Sequence, residues 1–407
     1  MIINSFLDND LYKFTMGQLI YFNSDLQKMV TYKLINRDKS INLGKILDID
    51  ELQKNINHLL SLKPTEEELK YLANIKAKSF YNPEERNIFI SEYIEFLSKE
   101  IGNNNVNYKL AVTDDELVLE LIGNWKYAVY YEVPLMAIIS ESYTKALESR
   151  LSNRGKILHH SEQWKIQEEL IEEIKKCRSL RFSDFGTRRR YSFDTQERMI
   201  YNLNYFHSLG NYQFSGTSNL FFAKKYNIKP IGTMAHELFM GASGLFEFDK
   251  AYSVITEKWK KLYGDSLSIL LPDTFTSDWL FDKYPKEVLE WEGIRHDSGD
   301  PIRFGEKYIE LCEKNKIDPK NKVIVFSDSL DINKAISILE HFRNRVWVTF
   351  GIGTKLTNNT AFLPLNIVVK LVEINNNSVV KLSDDPGKNT GDSDVIKKYL
   401  KYFLGGK

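Results

Sequence analysis

From about residue 180 onward the chain repeats one pattern, and that pattern limits its fold more than anything else in it. A short apolar run ends in a polar or glycine-bearing loop, and an amphipathic helix follows. LRFSDF leads into GTRRR and then a helix through TQERMIYNLNYFHSL. Residues 212–216 lead into GTS and a helix, and KPIGTMAHE, SLSILLPDTF, EGIRHDSGD, KVIVFSDSL and RVWVTFGIGT repeat the theme. After FSDSL, helical spacing puts Ile332, Ala335, Ile336, Leu339 and Phe342 on one face. Parallel strands need a crossover between them, usually a helix, so this alternation predicts parallel βα units. Six or seven such units favour an irregular, TIM-like α/β barrel over an open sheet. Catalytic groups in barrels sit where strands end. Here those ends carry Asp184, Arg188, Thr217, His236, Asp273, Arg295, Asp297, Asp328 and Gly351.

The first third differs. Helical spacing covers 49–61, 65–75 and 84–100, with Thr65 before EEEL as a capping start. VNYKLAV and ELVLELIG flank Asp114-Asp115 and predict a β-hairpin. A charged helix is expected over 161–177. Near the C-terminus NIVVKLVEINNNSVVKLS predicts a hairpin turning at Asn375–Asn377, expected to pack with the N-terminal hairpin. The expected division is a smaller α+β domain, 1–135 plus about 365–407, and a barrel domain, 136–364.

Composition narrows the partners. Lys plus Arg and Asp plus Glu each number 55, so no net field holds nucleic acid or an anionic membrane. Two cysteines, Cys177 and Cys312, exclude a disulfide framework and a cysteine-rich zinc module. The most apolar stretch, 127–139, is interrupted by Glu132 and Pro134 and is too short to span a bilayer. The start of the chain lacks the basic and long apolar regions of a signal peptide. A cytoplasmic protein is the expectation.

Several loops bear chemistry. In Phe350-Gly351-Ile352-Gly353-Thr354-Lys355 two glycines let backbone N–H groups approach an anion, though a tight turn uses the same residues. Leu356 stands where a dinucleotide fingerprint needs its third glycine, and no GxxxxGK[ST] loop is present. Ser327-Asp328-Ser329 precedes a helix and is either an ordinary cap or a second anion site. In Arg188-Arg189-Arg190 at least one member is expected on a solvated face, and Arg188 has the best place for a ligand. Arg295-His296-Asp297-Ser298-Gly299-Asp300 suits a sugar diol or Mg²⁺ bridged to phosphates. His236, among small neighbours, is placed for acid–base or nucleophilic work, whereas His159-His160 reads as structural. No HxxxH or HExxH spacing points to zinc.

Together DNDLYKFTM, DFGTRRR, GTSN, GTMAHE, GIRHDSGDP, VFSDSLD, FGIGT and NIVVKLVE followed by KLSDDPGK resemble the nicotinate phosphoribosyltransferase family. They run in family order from residue 8 to 388. The resemblance implies an irregular α/β barrel with a smaller domain, and a homodimer with shared active sites. It implies that nicotinate and 5-phosphoribosyl 1-diphosphate give nicotinate mononucleotide and diphosphate, with Mg²⁺ as cofactor and ATP as co-substrate, a ligase-type coupling in NAD salvage. By the same resemblance Tyr12 stacks on the pyridine ring from the partner subunit and Phe185 covers its other face. Arg188, Arg295 and Thr233 contact substrate. Thr217, Ser218 and Asp328 line the site, Asp297 is a ribose- or metal-side carboxylate, and Gly351, Gly353 and Thr354 cradle the 5-phosphate. His236 becomes a phosphohistidine, with Asp273 as its orienting partner. The nicotinamide-specific relative carries aspartate at the place of Ser218 and tyrosine at the place of Thr187, so both residues here favour nicotinate. A sugar-phosphate lyase or isomerase would also use FGIGT and His236, but not both Tyr12 and Phe185.

Overall fold

A computed structural model describes residues 1–79 and 84–403. In chain order the strands are β1 (Met29–Asn36), β2 (Lys76–Ala77), β3 (Arg86–Asn87), β4 (Val106–Thr113), β5 (Glu116–Asn124), β6 (Arg181–Asp184), β7 (Gln213–Thr217), β8 (Ile269–Leu270), β9 (Gly293–His296), β10 (Val323–Phe326), β11 (Trp347–Ile352), β12 (Ile367–Ile374) and β13 (Asn377–Ser378). They form two principal sheets. One is antiparallel, in order β13-β12-β1-β5-β4. The other is parallel, in order β7-β6-β11-β10-β9-β8.

The parallel sheet is the irregular α/β barrel. Its ladder does not run on from β7 to β8. The KPIGTMAHE segment lies at that break but makes only a single bridge, Pro230 to Thr217, where the sequence suggested a strand. A proline cannot donate to a ladder, and Gly232 adopts a φ of +152°. A Cβ on Gly232 would press within 3.3 Å of the Tyr12 nitrogen, so the glycine lets the helix Leu11–Tyr21 dock there.

Local signals account for many elements. Thr65 and Glu68 form a reciprocal capping box on the helix Glu66–Ala73. Asp114 and Asp115 take positive φ values, 49° and 65°, and close the β4–β5 hairpin in register from Thr113↔Glu116. The helix expected over 84–100 begins only at Ser91, because Arg86–Asn87 pairs with Lys76–Ala77; residues 80–83 lie outside the described residues. The helix expected from 161 starts at Asn153 under a Ser152 cap. The helix Ile332–Phe342 buries Ile332, Ala335, Ile338 and Phe342, turning its face slightly from the expected one.

β12 pairs with β1 from Asn36↔Ile367 to Val30↔Ile374, and Asn375 and Asn376 turn the chain into β13. The apolar stretch 127–139 runs into the helix Glu132–Ser149, whose first ten residues are all buried. Beyond β13, residues 381–388 form a strap across the barrel loops. Leu382 N–H donates to the Thr274 carbonyl (2.9 Å), Ser277 N–H donates to the Asp384 carboxylate (2.7 Å), and Lys388 pairs with Asp328 (2.6 Å).

Candidate active site

His236 opens the helix His236–Leu245 and is 3% exposed. Its Nδ1 lies 3.0 Å from the Thr274 hydroxyl. Its Nε2 lies 2.8 Å from Asp297 Oδ2 and 2.8 Å from Lys381 Nζ. Burial, reinforced by the Lys381 charge, pulls the imidazole down to about 4 against Asp273 and Asp297, so the ring is neutral near pH 7. Asp273 is 3.7 Å from Nε2 and hydrogen-bonds instead to Ser298 (2.6 Å), while pairing with Lys381 at 3.2 Å. Thr274, Asp297 and Lys381 touch the ring directly, and Asp273 acts on it from 3.7 Å and holds Lys381. For Asp297, burial raises the carboxyl, but the His236 hydrogen bond and the Arg295 and Lys381 charges outweigh it and leave it well below its usual range.

Ligand atoms of His236, Asp273 and Asp297 lie within 4.8 Å of one another, the spacing of a metal site. Asp273 Oδ1 is buried without a hydrogen-bond partner. Lys381 already supplies a cation among these groups, and Asp297 Oδ1 accepts from the Ser327 hydroxyl (2.9 Å). Arg295, on β9, donates to the Met234 carbonyl (3.0 Å) and keeps a buried, unpartnered Nε.

A second corner forms around Arg188. It follows β6 through the tight turn Asp184-Phe185-Gly186, where Gly186 N–H donates to Asp184 Oδ1 (2.9 Å). Arg188 NH1 lies 3.9 Å from Glu132 Oε1, and Tyr12, Asp10 and Asp297 all act on its charge. Tyr12 reaches this corner from the same chain. Residues 8–12 dock on GTSN of the same chain. Leu11 N–H donates to the Ser218 carbonyl (2.8 Å), and Asp10 bridges Asn219. Lys370, on β12, lies in the field of Glu132, Arg188, Lys381 and Asp297 and so joins the two corners. Burial is the main cause of its fall to about 8, with Glu132 opposing and Arg188 and Lys381 assisting.

The remaining candidates fall on the same rim with different duties. The Phe185 ring lies against Gly351, where a Cβ would come within 2.2 Å of it. Gly353 and Thr354 follow β11 on the loop beside Phe185. Asp328 follows the adjacent β10, and its carboxylate is held by Lys388. The Thr233 carbonyl accepts from the Thr15 hydroxyl (2.6 Å). Thr217 is fully buried and its hydroxyl donates to Asp184 (2.7 Å); the Ser218 hydroxyl donates to Asp10 (2.8 Å). These two hydroxyls brace the turn. Of the triplet, Arg190 is fully buried, and Arg188 and Arg189 are half-buried.

The sequence reading missed the cations that close the site. Lys381 and Lys388 stand in KLSDDPGK, and Lys370 stands in NIVVKLVE. Both segments were visible as motifs, but their lysines gained partners only through folding. Arg37 was missed too, and it gathers with Arg188 and Arg189 against Asp328. Glu132 and Lys13 were visible only as a break in an apolar stretch and as part of a motif, not as a buried pair.

Known proteins match this architecture over its length. Residues 7–140 match the N-terminal domain model of the nicotinate phosphoribosyltransferase (NAPRTase) family, and residues 180–406 match that family's main model. The chain is 37% identical to the nicotinate phosphoribosyltransferase of Methanococcoides burtonii, over 100% of this chain and 98% of the relative. It is 35% identical to that of Burkholderia ambifaria, over 100% and 97%. A crystal structure of nicotinate phosphoribosyltransferase from Vibrio cholerae superposes with a TM-score of 0.85 at 28% identity, covering 100% of this chain and 94% of that one. Among the described residues no helix is long and apolar enough to cross a membrane.

Proposed function

Because the chain belongs to the nicotinate phosphoribosyltransferase family, we propose that the rim holding His236, Asp297, Lys381, Arg188 and Tyr12 is its active site. The enzyme joins nicotinate to 5-phosphoribosyl 1-diphosphate, giving nicotinate mononucleotide and diphosphate, a step of NAD salvage. The observation that carries the site assignment is Arg188. Its guanidinium stands at a strand end beside Tyr12 and donates no hydrogen bond among the described residues, so its fork is free for a carboxylate.

The chemistry asks little proton transfer of the protein. The pyridine nitrogen attacks ribose C1 with its own lone pair as the bond to diphosphate breaks, and positive charge grows on the ribose. The side chains position the reactants and stabilise charge. Arg188 and Arg295 select the carboxylate. Phe185 and Tyr12 hold the ring, worth about 0.5–1.5 kcal/mol beyond burial. Arg37, Lys381 and Lys388 offer positive charge to the leaving diphosphate, and the Gly351–Thr354 loop suits the 5-phosphate. Asp297 would hold Mg²⁺, which would supply charge neutralisation to phosphate oxygens.

Coupling to ATP fits His236. A neutral imidazole keeps a lone pair for phosphoryl transfer, and the phosphohistidine would add about −1.5 to −2 charge beside Lys381. In a homodimer of this chain the active sites would be shared, with Tyr12 serving the neighbouring subunit's pocket, while Lys381 and Lys388 reach the rim in cis. A cytoplasmic setting suits these soluble substrates.

The test is incubation with nicotinate, 5-phosphoribosyl 1-diphosphate and Mg²⁺, with and without ATP, and then with nicotinamide, read by product mass. Nicotinate mononucleotide should form and rise with ATP. Conversion of nicotinamide alone would overturn the substrate assignment. His236→Ala should abolish phosphate labelling and ATP stimulation while leaving slow ATP-independent synthesis.

A further inference from the structure

Glu132 is the first residue of the helix Glu132–Ser149 and is 4% exposed. Its two carboxylate oxygens face two different parts of the nicotinate pocket. Oε2 pairs with Lys13 Nζ at 2.5 Å. Oε1 lies 3.9 Å from Arg188 NH1 and 3.9 Å from Lys370 Nζ. Lys13 is fully buried and follows Tyr12 directly, with its ammonium 5.3 Å from the Tyr12 ring centroid. It also pairs with Glu237, the neighbour of His236, at 2.5 Å. Glu237 is itself fixed by the Tyr32 hydroxyl and by Trp125 Nε1 (2.8 Å). One oxygen of Glu132 thus anchors the segment carrying Tyr12, and the other faces the guanidinium expected to grip the substrate carboxylate.

We propose that Glu132 is a positioning residue for the nicotinate subsite, presetting the Arg188 guanidinium with one carboxylate oxygen while Lys13 fixes the other. The inference rests on the reading of Arg188 as a nicotinate contact. Such a role has a physical reason. A guanidinium with no hydrogen bond of its own has many orientations, and a buried counter-charge restricts them before substrate arrives. That lowers the ordering cost of binding. Glu132 does not reach the reacting atoms, so its effect falls on nicotinate binding rather than on the bond-making step.

Steady-state kinetics of Glu132→Gln and Glu132→Asp test this. The amide keeps the size and an acceptor for Lys13 but loses the charge facing Arg188. Expected for Glu132→Gln is a nicotinate KM raised about tenfold, with kcat and the KM for 5-phosphoribosyl 1-diphosphate within about twofold of wild type. Glu132→Asp keeps the charge and should recover part of the loss. In an Arg188→Lys background the effect of Glu132→Gln should shrink to about twofold, because it acts through that guanidinium. Tyr32→Phe loosens the same network at Glu237 and controls for a general packing effect. A fall in nicotinate KM in Glu132→Gln would overturn the proposal, showing that the carboxylate merely repels the substrate. An equal rise in both KM values, or the same pattern in Tyr32→Phe, would also overturn it. If Glu132→Gln fails to fold, Glu132→Asp decides alone: an unchanged nicotinate KM would sink the proposal. A wild-type chain that forms no nicotinate mononucleotide would instead sink the functional reading.

Discussion

Arg188 and Arg190 stand two residues apart in one turn, yet the fold uses them in opposite ways. Arg190 is fully buried and saturated. Its NH1 and NH2 donate to both oxygens of Asp8 (2.7 and 2.8 Å), its Nε donates to Glu141 (2.7 Å), and NH1 also reaches Gln196 (3.3 Å). Arg188 is partly open and faces Glu132 only at 3.9 Å. A guanidinium whose donors are all taken holds structure together. One left with free donors at a strand end has its bonds still to make, and a ligand can make them.

The largest expected effect lies on the saturated side. Arg190→Met leaves Asp8 and Glu141 buried without their partner, which should cost about 3–5 kcal/mol of stability. A chemical-denaturation curve would read it. A loss below about 1 kcal/mol would show that Asp8 and Glu141 simply protonate, and the contrast between the arginines would weaken.

Asp184 sharpens the comparison through pH, because it anchors the turn that carries both arginines. Burial raises its carboxyl to about 6 from an ordinary 3.8, despite bonds from Thr217, Gln196 and Gly186. The folded state therefore holds this proton more tightly than the unfolded chain does. Its stabilising contribution is complete below about pH 4 and is lost as pH rises through 6, a change of up to about 3 kcal/mol. Asp184→Asn should remove that component, so the mutant-minus-wild-type stability should climb between pH 4 and 6 and then level off. A flat difference would mean that Asp184 ionises normally.

On the open side, Arg188→Ala should leave stability within about 0.5 kcal/mol. It should weaken nicotinate use by the value of a charged hydrogen bond, about 1.5–3 kcal/mol, or about 10–150-fold in kcat/KM. Parallel thermal melts and nicotinate titrations check both halves. A large drop in melting temperature would erase the distinction between the two arginines.

Its place just after a strand end singled out Arg188 in Arg188-Arg189-Arg190, but the saturation of Arg190 was not legible, because it depends on Asp8, Glu141 and Gln196 arriving from elsewhere. Features decided within a few residues were legible. The Thr65 capping box, the Asp114-Asp115 turn and the strand-loop-helix rhythm from residue 180 all follow from nearest neighbours. So did the gathering of His236, Asp297 and Arg295 at barrel ends, since alternation alone puts strand ends on one rim. Lys381 was not legible as a partner of His236, because 145 residues separate them and only the strap brings them together. Glu132 looked like a flaw in an apolar stretch, and its buried partner Lys13 looked like part of a polar N-terminal motif. Hydrophobic patterning marks which faces are buried, but not which charges meet inside.

The ladder joining Val30 to Ile374, with the strap just after it, has a consequence for synthesis. On the ribosome, Lys381 and Lys388 emerge long after the barrel loops they cross. A nascent chain can build most of its parallel sheet, yet His236 would still lack its ammonium neighbour and β1 one of its partner strands. Contacts so distant in sequence close slowly. Competence should therefore appear late and abruptly, after translation has passed the strap, and a stalled polypeptide would be folded in large part but inert.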